Sequence, residues 1–296
     1  MSTQKSLISD PKKARRRMSS VLAEAYIGNK LGWKIGALSA GYGSYTPASL
    51  LELCKFVTAI TQEKVWLNVG VLSEKTLEKL KPYLEGVYGA VETTNERVHK
   101  EVAPNKPIAP IEKMFAECEK LGLRKAMTFI VGMGETIDDF NSLENFIIQN
   151  NVDKITFYAL NPIKGTVFEH SKGPSIEYYL QWIEKTRKAF PNIDIVAGPW
   201  VSRVEHISKM LEAGANSLTK FPALKMFGSE FAFKIENEIA KAGYHFESTF
   251  TKMPEIDFKD IEDTDLPESL KKEIIEKIEQ YLEGMRKHRM VMVEEP

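Results

Sequence analysis

Thirteen residues with chemically useful side chains or bare backbone fall just after a series of apolar runs. They are Ser39, Gly41 and Tyr42; Asn68; Glu92, Thr93 and Asn95; Glu135; Asn161 and Lys164; Trp200 and Arg203; and Lys220. Tyr158 lies inside the last turn of one run. Glu92 is the strongest single candidate. A carboxylate at the end of a buried strand needs a cationic or hydroxyl partner to offset desolvation. A ligand's ammonium or ribose hydroxyls would serve, and so would an Arg or Lys of the protein. Metal-site spacing is absent: there is no H-E-x-x-H, no cysteine pair, and the five histidines are scattered. No P-loop and no G-x-S-x-G elbow appear either.

The elements that must carry these residues are read from the alternation of apolar runs and amphipathic stretches. The sharpest is 127–140. Met127 to Val131 is a continuous apolar run, suited to a strand buried on both faces. It breaks at Gly132 and Gly134, passes Glu135 and Thr136, and enters a helix over about 138–150. Further strands are expected at 33–39, 65–69, 87–91, 155–160, 193–197 and 216–219. Helices are expected at 20–31, at 47–60 with Thr46 as cap, at 74–81 after Ser73, at 110–121, at 175–189, at 204–213, at 225–242 and at 267–287. Strand and helix alternate in units of 20–40 residues, the pattern of parallel strands joined by crossovers. No G-x-G-x-x-G follows the first strand, which argues against a dinucleotide-binding sheet. The expected fold is therefore α/β, a partial (β/α) barrel. The chain is read as one domain: an N-terminal segment and helix over 1–31, the barrel core over 32–222, and a helical extension over 223–296. In such a barrel the residues above form one ring at the C-terminal rim, where active sites sit.

Composition narrows the function classes. The chain has 296 residues, 43% hydrophobic and 27% charged, with a net charge of −1. That balance predicts neither nucleic-acid nor membrane attraction. No apolar run reaches the length of a membrane span, and the polar, basic start has no signal-peptide core. A basic cluster of Lys12, Lys13, Arg15, Arg16 and Arg17 is read as a solvated face. Cys54 and Cys118, the only two cysteines, fall within helical patterns, so they read as small buried hydrophobes in a reducing, cytoplasmic setting.

The chain also resembles the radical SAM superfamily, in its biotin synthase-like branch, over about 31–228. The resemblance rests on Ile130 to Thr136, on Glu92-Thr93-Thr94-Asn95, on Lys164-Gly165-Thr166, on Glu212 to Ser217, and on Val69 to Glu74. Ser39 to Gly43 stands at the branch's glycine motif for the amino group of S-adenosylmethionine. The resemblance implies that Ser39, Gly41, Tyr42, Glu92, Ile130, Gly132, Tyr158 and Asn161 contact S-adenosylmethionine, with the strand at Ile130 beside the adenine. It implies that Asn68, Lys164, Trp200 and Arg203 face the substrate. The implied activity is reductive cleavage of S-adenosylmethionine to a 5′-deoxyadenosyl radical for cofactor biosynthesis, as in lipoyl synthase-like transferases or hydrogenase cofactor maturases. Its implied partners are a small-molecule or lipoyl/octanoyl-carrier substrate, an external electron donor and a homologous subunit.

Two departures qualify what the resemblance implies. The branch binds a four-iron four-sulfur cluster through a C-x-x-x-C-x-x-C loop after its first strand. No such triplet occurs here, so the cluster is expected only if upstream cysteines exist and Met1 is an internal methionine; the competing reading is a pseudoenzyme. The positions matching the second-cluster cysteines of biotin synthase are Ala37, Trp66 and Ala126, which argues against biotin synthase activity. Two other classes stay open: a non-catalytic barrel acting as partner or scaffold, and a TIM-barrel lyase using Lys164 or Lys220 as a Schiff-base amine.

Overall fold

A computed structural model describes residues 15–41 and 43–293, with 288–293 traced by backbone alone. Tyr42, and Lys12 and Lys13 of the basic cluster, lie outside the described residues. The chain runs α1 (Met18–Lys30), β1 (Leu38–Ser39), α2 (Pro47–Thr61), β2 (Val65–Asn68), α3 (Glu74–Leu80), β3 (Leu84–Glu92), α4 (Glu96–Val102) and α5 (Ala109–Leu121). It continues through β4 (Arg124–Val131), α6 (Phe140–Asn150), β5 (Lys154–Ala159), α7 (Ile176–Ala189), β6 (Asp194–Gly198), α8 (Ile207–Glu212) and β7 (Ser217–Leu218). It closes with α9 (Ala223–Met226), α10 (Glu230–Lys241), α11 (Lys259–Glu262) and α12 (Glu268–Val293).

The strands form one seven-stranded sheet in the order β1 to β7, every neighbouring pair parallel. Sequential order with helical crossovers makes a curled half-barrel. β1 and β7 are its two open edges. Alternation along each strand divides the side chains between two environments. Leu67, Val87, Met127, Phe129, Ile155, Phe157 and Ile195 join one large core with the surrounding helices. Their neighbours Trp66, Tyr88 and Ala126 form a separate interior cluster, with Ala37 packed against it. Gly86 permits that cluster: a Cβ there would collide with the Trp66 ring and the Arg124 carbonyl.

The elements follow local chemistry. Thr46 accepts the Ser49 N–H, as expected of a cap, and Ser175 at the start of α7 accepts the Tyr178 N–H, whereas Ser73 ahead of α3 makes no side-chain bond to the helix backbone. Gly122 ends α5 with left-handed φ. Three expectations need correction. The strand expected over 33–39 shrinks to Leu38–Ser39, because residues 31–33 bond elsewhere. The Trp33 indole donates to the Thr249 carbonyl at 2.8 Å, and Thr249 N–H donates to the Leu31 carbonyl at 3.2 Å. The helix expected over 225–242 is two helices, broken at 227–229, where the Gly228 N–H donates to the Phe250 carbonyl. No helix was expected over 96–102, yet α4 forms there, and Asn95, placed in the rim by the sequence, caps it by accepting the Val98 N–H at 2.9 Å.

Candidate functional site

The C-terminal ends of all seven strands point the same way, so Ser39, Asn68, Glu92 and the residues after β4 to β7 share one rim, as the sequence predicts. Ser39 and Asn68 are register partners, and the Asn68 carbonyl accepts the Ala40 N–H at 3.0 Å. Gly41, Asn161 and Lys164 are exposed there.

Backbone conformation singles out part of the rim. Among the described residues, five non-glycines have left-handed φ. Gln62 and Asn151 close α2 and α6, a common role. The other three are Glu92 at φ +68°, Trp200 at +64° and Lys220 at +73°, each at or just beyond the end of a strand. Such conformations disfavour a side chain and concentrate at functional sites. At Glu92 the cause is visible. Gly89 pairs with Met127 and Glu92 with Phe129, so β3 carries one extra residue there, a bulge that re-aims the side chain.

These residues meet inside the mouth. The Glu92 carboxylate accepts a hydrogen bond from the buried Thr128 hydroxyl at 3.3 Å and pairs with the Lys106 ammonium at 3.0 Å. The lysine side chain is 44% exposed and the glutamate 25%. A pair this open contributes about 0–1 kcal/mol and is cheap to displace. The Lys220 amine stands 4.7 Å from the centre of the Tyr158 ring and 5.3 Å from that of Trp200. Burial lowers the pKa of Lys220, against the raising effect of the Glu92 charge. Burial raises that of the Tyr158 phenol, with Tyr88 and Glu92 adding to it. Gly198 makes room for the Tyr158 ring, which a Cβ would strike. The Trp200 indole is anchored by donating to the Ala159 carbonyl at 2.9 Å. Arg203 turns to the edge of the mouth, donating to the Pro174 carbonyl at 2.5 Å.

The glycine turn after β4 takes a different part. Gly132 has φ +104° and Gly134 +116°. The buried Glu135 carboxylate accepts the Gly132 N–H at 2.5 Å and the Met133 N–H at 2.8 Å. Two backbone donors that a ligand could have used are thus satisfied internally. The sequence signal is a carboxylate three residues after the first glycine. Thr128 and Tyr88 escaped the sequence reading, because both lie inside strands and only the alternation of the pleat turns them inward.

The cluster that the resemblance implies does not fit this chain's own residues. Cys54 and Cys118 are both fully buried in the helix shell. Burial pushes the Cys54 thiol up to about 12 and the Cys118 thiol up to about 11, so both are held protonated. Among the described residues no three His, Cys, Asp or Glu side chains gather to hold a metal ion. S-adenosylmethionine fits better. A partly exposed carboxylate with a weak partner suits its ammonium or ribose hydroxyls, and half-buried Ile130 offers apolar surface beside it. No described helix is long and apolar enough to cross a membrane.

No family profile matches the chain. It is 39% identical over 251 residues to an uncharacterized protein of Methanocaldococcus jannaschii, covering 85% of this chain and 69% of that one. It is 31% identical over 157 residues to 7,8-didemethyl-8-hydroxy-5-deazariboflavin synthase of Archaeoglobus fulgidus, and 29% identical over 128 residues to biotin synthase of Methanococcus maripaludis. Those matches cover 51% and 43% of this chain, and 48% and 39% of the relatives, so the chain spans about half or less of these two. Among solved structures, the chain resembles methylornithine synthase PylB with a TM-score of 0.59 at 18% identity, over 68% of this chain and 60% of that one. It resembles HydG, a maturase of the FeFe-hydrogenase, with a TM-score of 0.60 at 13% identity, over 95% of this chain and 76% of that one. These two likenesses concern the fold.

Proposed function

The chain belongs to the radical SAM superfamily, in its biotin synthase-like branch, and from that premise we propose that the mouth of its half-barrel binds S-adenosylmethionine, with Glu92 as the principal contact. In this superfamily S-adenosylmethionine would take one electron from a reduced four-iron four-sulfur cluster, releasing methionine and a 5′-deoxyadenosyl radical that takes hydrogen from an unactivated carbon; the described residues of this chain hold no such cluster, so the electron would have to come from outside them. The residues of this chain bind and orient. Glu92 holds the ammonium or the ribose hydroxyls, and the Thr128 hydroxyl keeps its carboxylate aimed. Ile130 and the turn at Gly132 flank the adenine, while Ser39, Gly41 and Asn161 close the rim around it. Tyr158 and Trp200 wall the deeper part of the mouth and keep water from the reacting carbon. Asn68, Lys164 and Arg203 face the substrate from the edge.

The reaction served is one of cofactor biosynthesis, of the lipoyl-insertion or hydrogenase-maturation kind. Its partners are a small-molecule or octanoyl-carrier substrate, an external electron donor and a homologous subunit. Sulfur transfer from a second cluster, as in biotin synthase, is disfavoured by the interior. Ala37, Trp66 and Ala126 come together there as a packed apolar cluster with Tyr88, and none of their side chains is a thiolate.

One observation carries the reading: the carboxylate at the strand end is held in a strained, re-aimed conformation with, among the described residues, only a solvent-exposed lysine as ionic partner. Calorimetric titration of S-adenosylmethionine into the wild type and Glu92→Gln tests it. A charge-assisted hydrogen bond contributes about 1.5–3 kcal/mol, so affinity should fall by roughly 10- to 150-fold. The urea midpoint should hardly move, since the Lys106 pair adds little. Unchanged affinity with a lowered midpoint would make Glu92 a structural residue.

A further inference from the structure

Lys220 is a cation set where the fold gives it no anion. It stands just past β7 with left-handed φ, and its amine lies against the faces of Tyr158 and Trp200. Among the described residues it makes no ion pair and no hydrogen bond. Glu92 acts on it only through space, from β3 on the other side of the mouth. The residue as a whole is exposed to solvent, but its amine lies against the Tyr158 and Trp200 rings, and burial lowers its pKa.

Holding a partly desolvated, unpaired ammonium against two rings on a strained backbone is costly. The aromatic faces offset part of that cost by cation–π attraction. They leave the amine's hydrogens unmatched toward the open mouth. An anion entering there would supply the missing partner. We infer that Lys220 anchors a carboxylate of the substrate, whose adjoining apolar chain lies between Tyr158 and Trp200. A monoanion fits better than phosphate. One lysine matches one charge, and a dianion would meet Glu92 without the cluster of N–H donors or arginines that phosphate sites use. This inference rests on the reading of the mouth as the reaction site, and it assigns Lys220 to substrate and Glu92 to S-adenosylmethionine.

Ligand-observed NMR titration with butyrate tests it, using methyl butyrate and inorganic phosphate as controls. Butyrate should bind the wild type saturably. Lys220→Met should weaken it by about 10-fold or more, the loss of one charge-assisted contact, and Lys220→Arg should restore most of it. Glu92→Gln should leave butyrate binding unchanged or slightly tighter, because a nearby negative charge is removed. S-adenosylmethionine affinity should be unaffected by Lys220→Met. The inference is overturned if butyrate shows no saturable binding, if Lys220→Met binds it as well as the wild type, or if the ester or phosphate binds equally well. If butyrate binding depends on Lys220 while Glu92→Gln leaves S-adenosylmethionine affinity intact, the carboxylate anchor stands and the assignment of Glu92 fails.

Discussion

At the N-terminal end of the half-barrel, the charges at the starts of β4 and β6 have partners. Arg124 reaches Glu85 at 3.2 Å, Asp194 at 3.1 Å and Asp153 at 3.8 Å. Lys154 lies 4.1 Å from the centre of the Trp66 ring, and Trp66 packs edge-on against Tyr88. At the C-terminal end, the same sheet carries Glu92 with a weak partner, Lys220 with none among the described residues, and three left-handed non-glycines within one mouth. Both ends are built from the same inward-facing pleat. One compensates its charges inside the protein, while the other leaves them for something that is not protein. The difference separates residues that hold the barrel from residues that wait on a ligand, which burial alone does not do.

Three substitutions would break or sharpen that contrast. The largest effect is expected from Trp66→Ala, which removes the buried plug between the two ends. A large-to-small change at such a position costs about 3–5 kcal/mol and should lower the urea midpoint sharply. An effect below about 1 kcal/mol would show that the interior is loosely packed and that the two ends are not separated by a core. Glu135→Ala should come next. It strips the Gly132 and Met133 N–H groups of a buried charged acceptor, at about 2–3 kcal/mol. If thermal unfolding shows no loss, those donors are open to a ligand and the turn belongs with the mouth. Arg124→Met should cost about 1 kcal/mol, because the guanidinium and its partners are roughly 40% exposed. That cost should shrink in high salt. S-adenosylmethionine affinity should not change in Arg124→Met, and a clear fall would erase the functional boundary between the ends.

The rim was legible in the sequence because strand and helix alternate, and alternation alone places Glu92, Trp200 and Lys220 at or just after the ends of β3, β6 and β7. Chain order also gave the sheet order. What escaped has physical causes. α4 escaped although the equally short α3 was read, because α3 buries Leu77 and Leu80 three residues apart, whereas α4 buries Val98 alone and displays no period. The strand expected over 33–39 has apolar residues, but Trp33 finds its partner 216 residues away at Thr249, a contact that no local pattern reveals. Left-handed φ at a non-glycine leaves no mark in composition, so the strain at Glu92, Trp200 and Lys220 appears only in the fold. The Gly132-Met133-Gly134-Glu135 turn suggested ligand donors because glycines free the backbone; the carboxylate that occupies two of those donors was in view, but its direction was not.

The most direct test is the structure of the protein with S-adenosylmethionine bound, at a resolution that shows the carboxylate oxygens. The account predicts the ligand in the mouth, with its ammonium or ribose hydroxyls about 2.7–3.0 Å from the Glu92 carboxylate. Lys106 should be displaced from Glu92, and Lys220 should still be open toward the solvent side. S-adenosylmethionine bound elsewhere, with the Glu92–Lys106 pair intact, would contradict it.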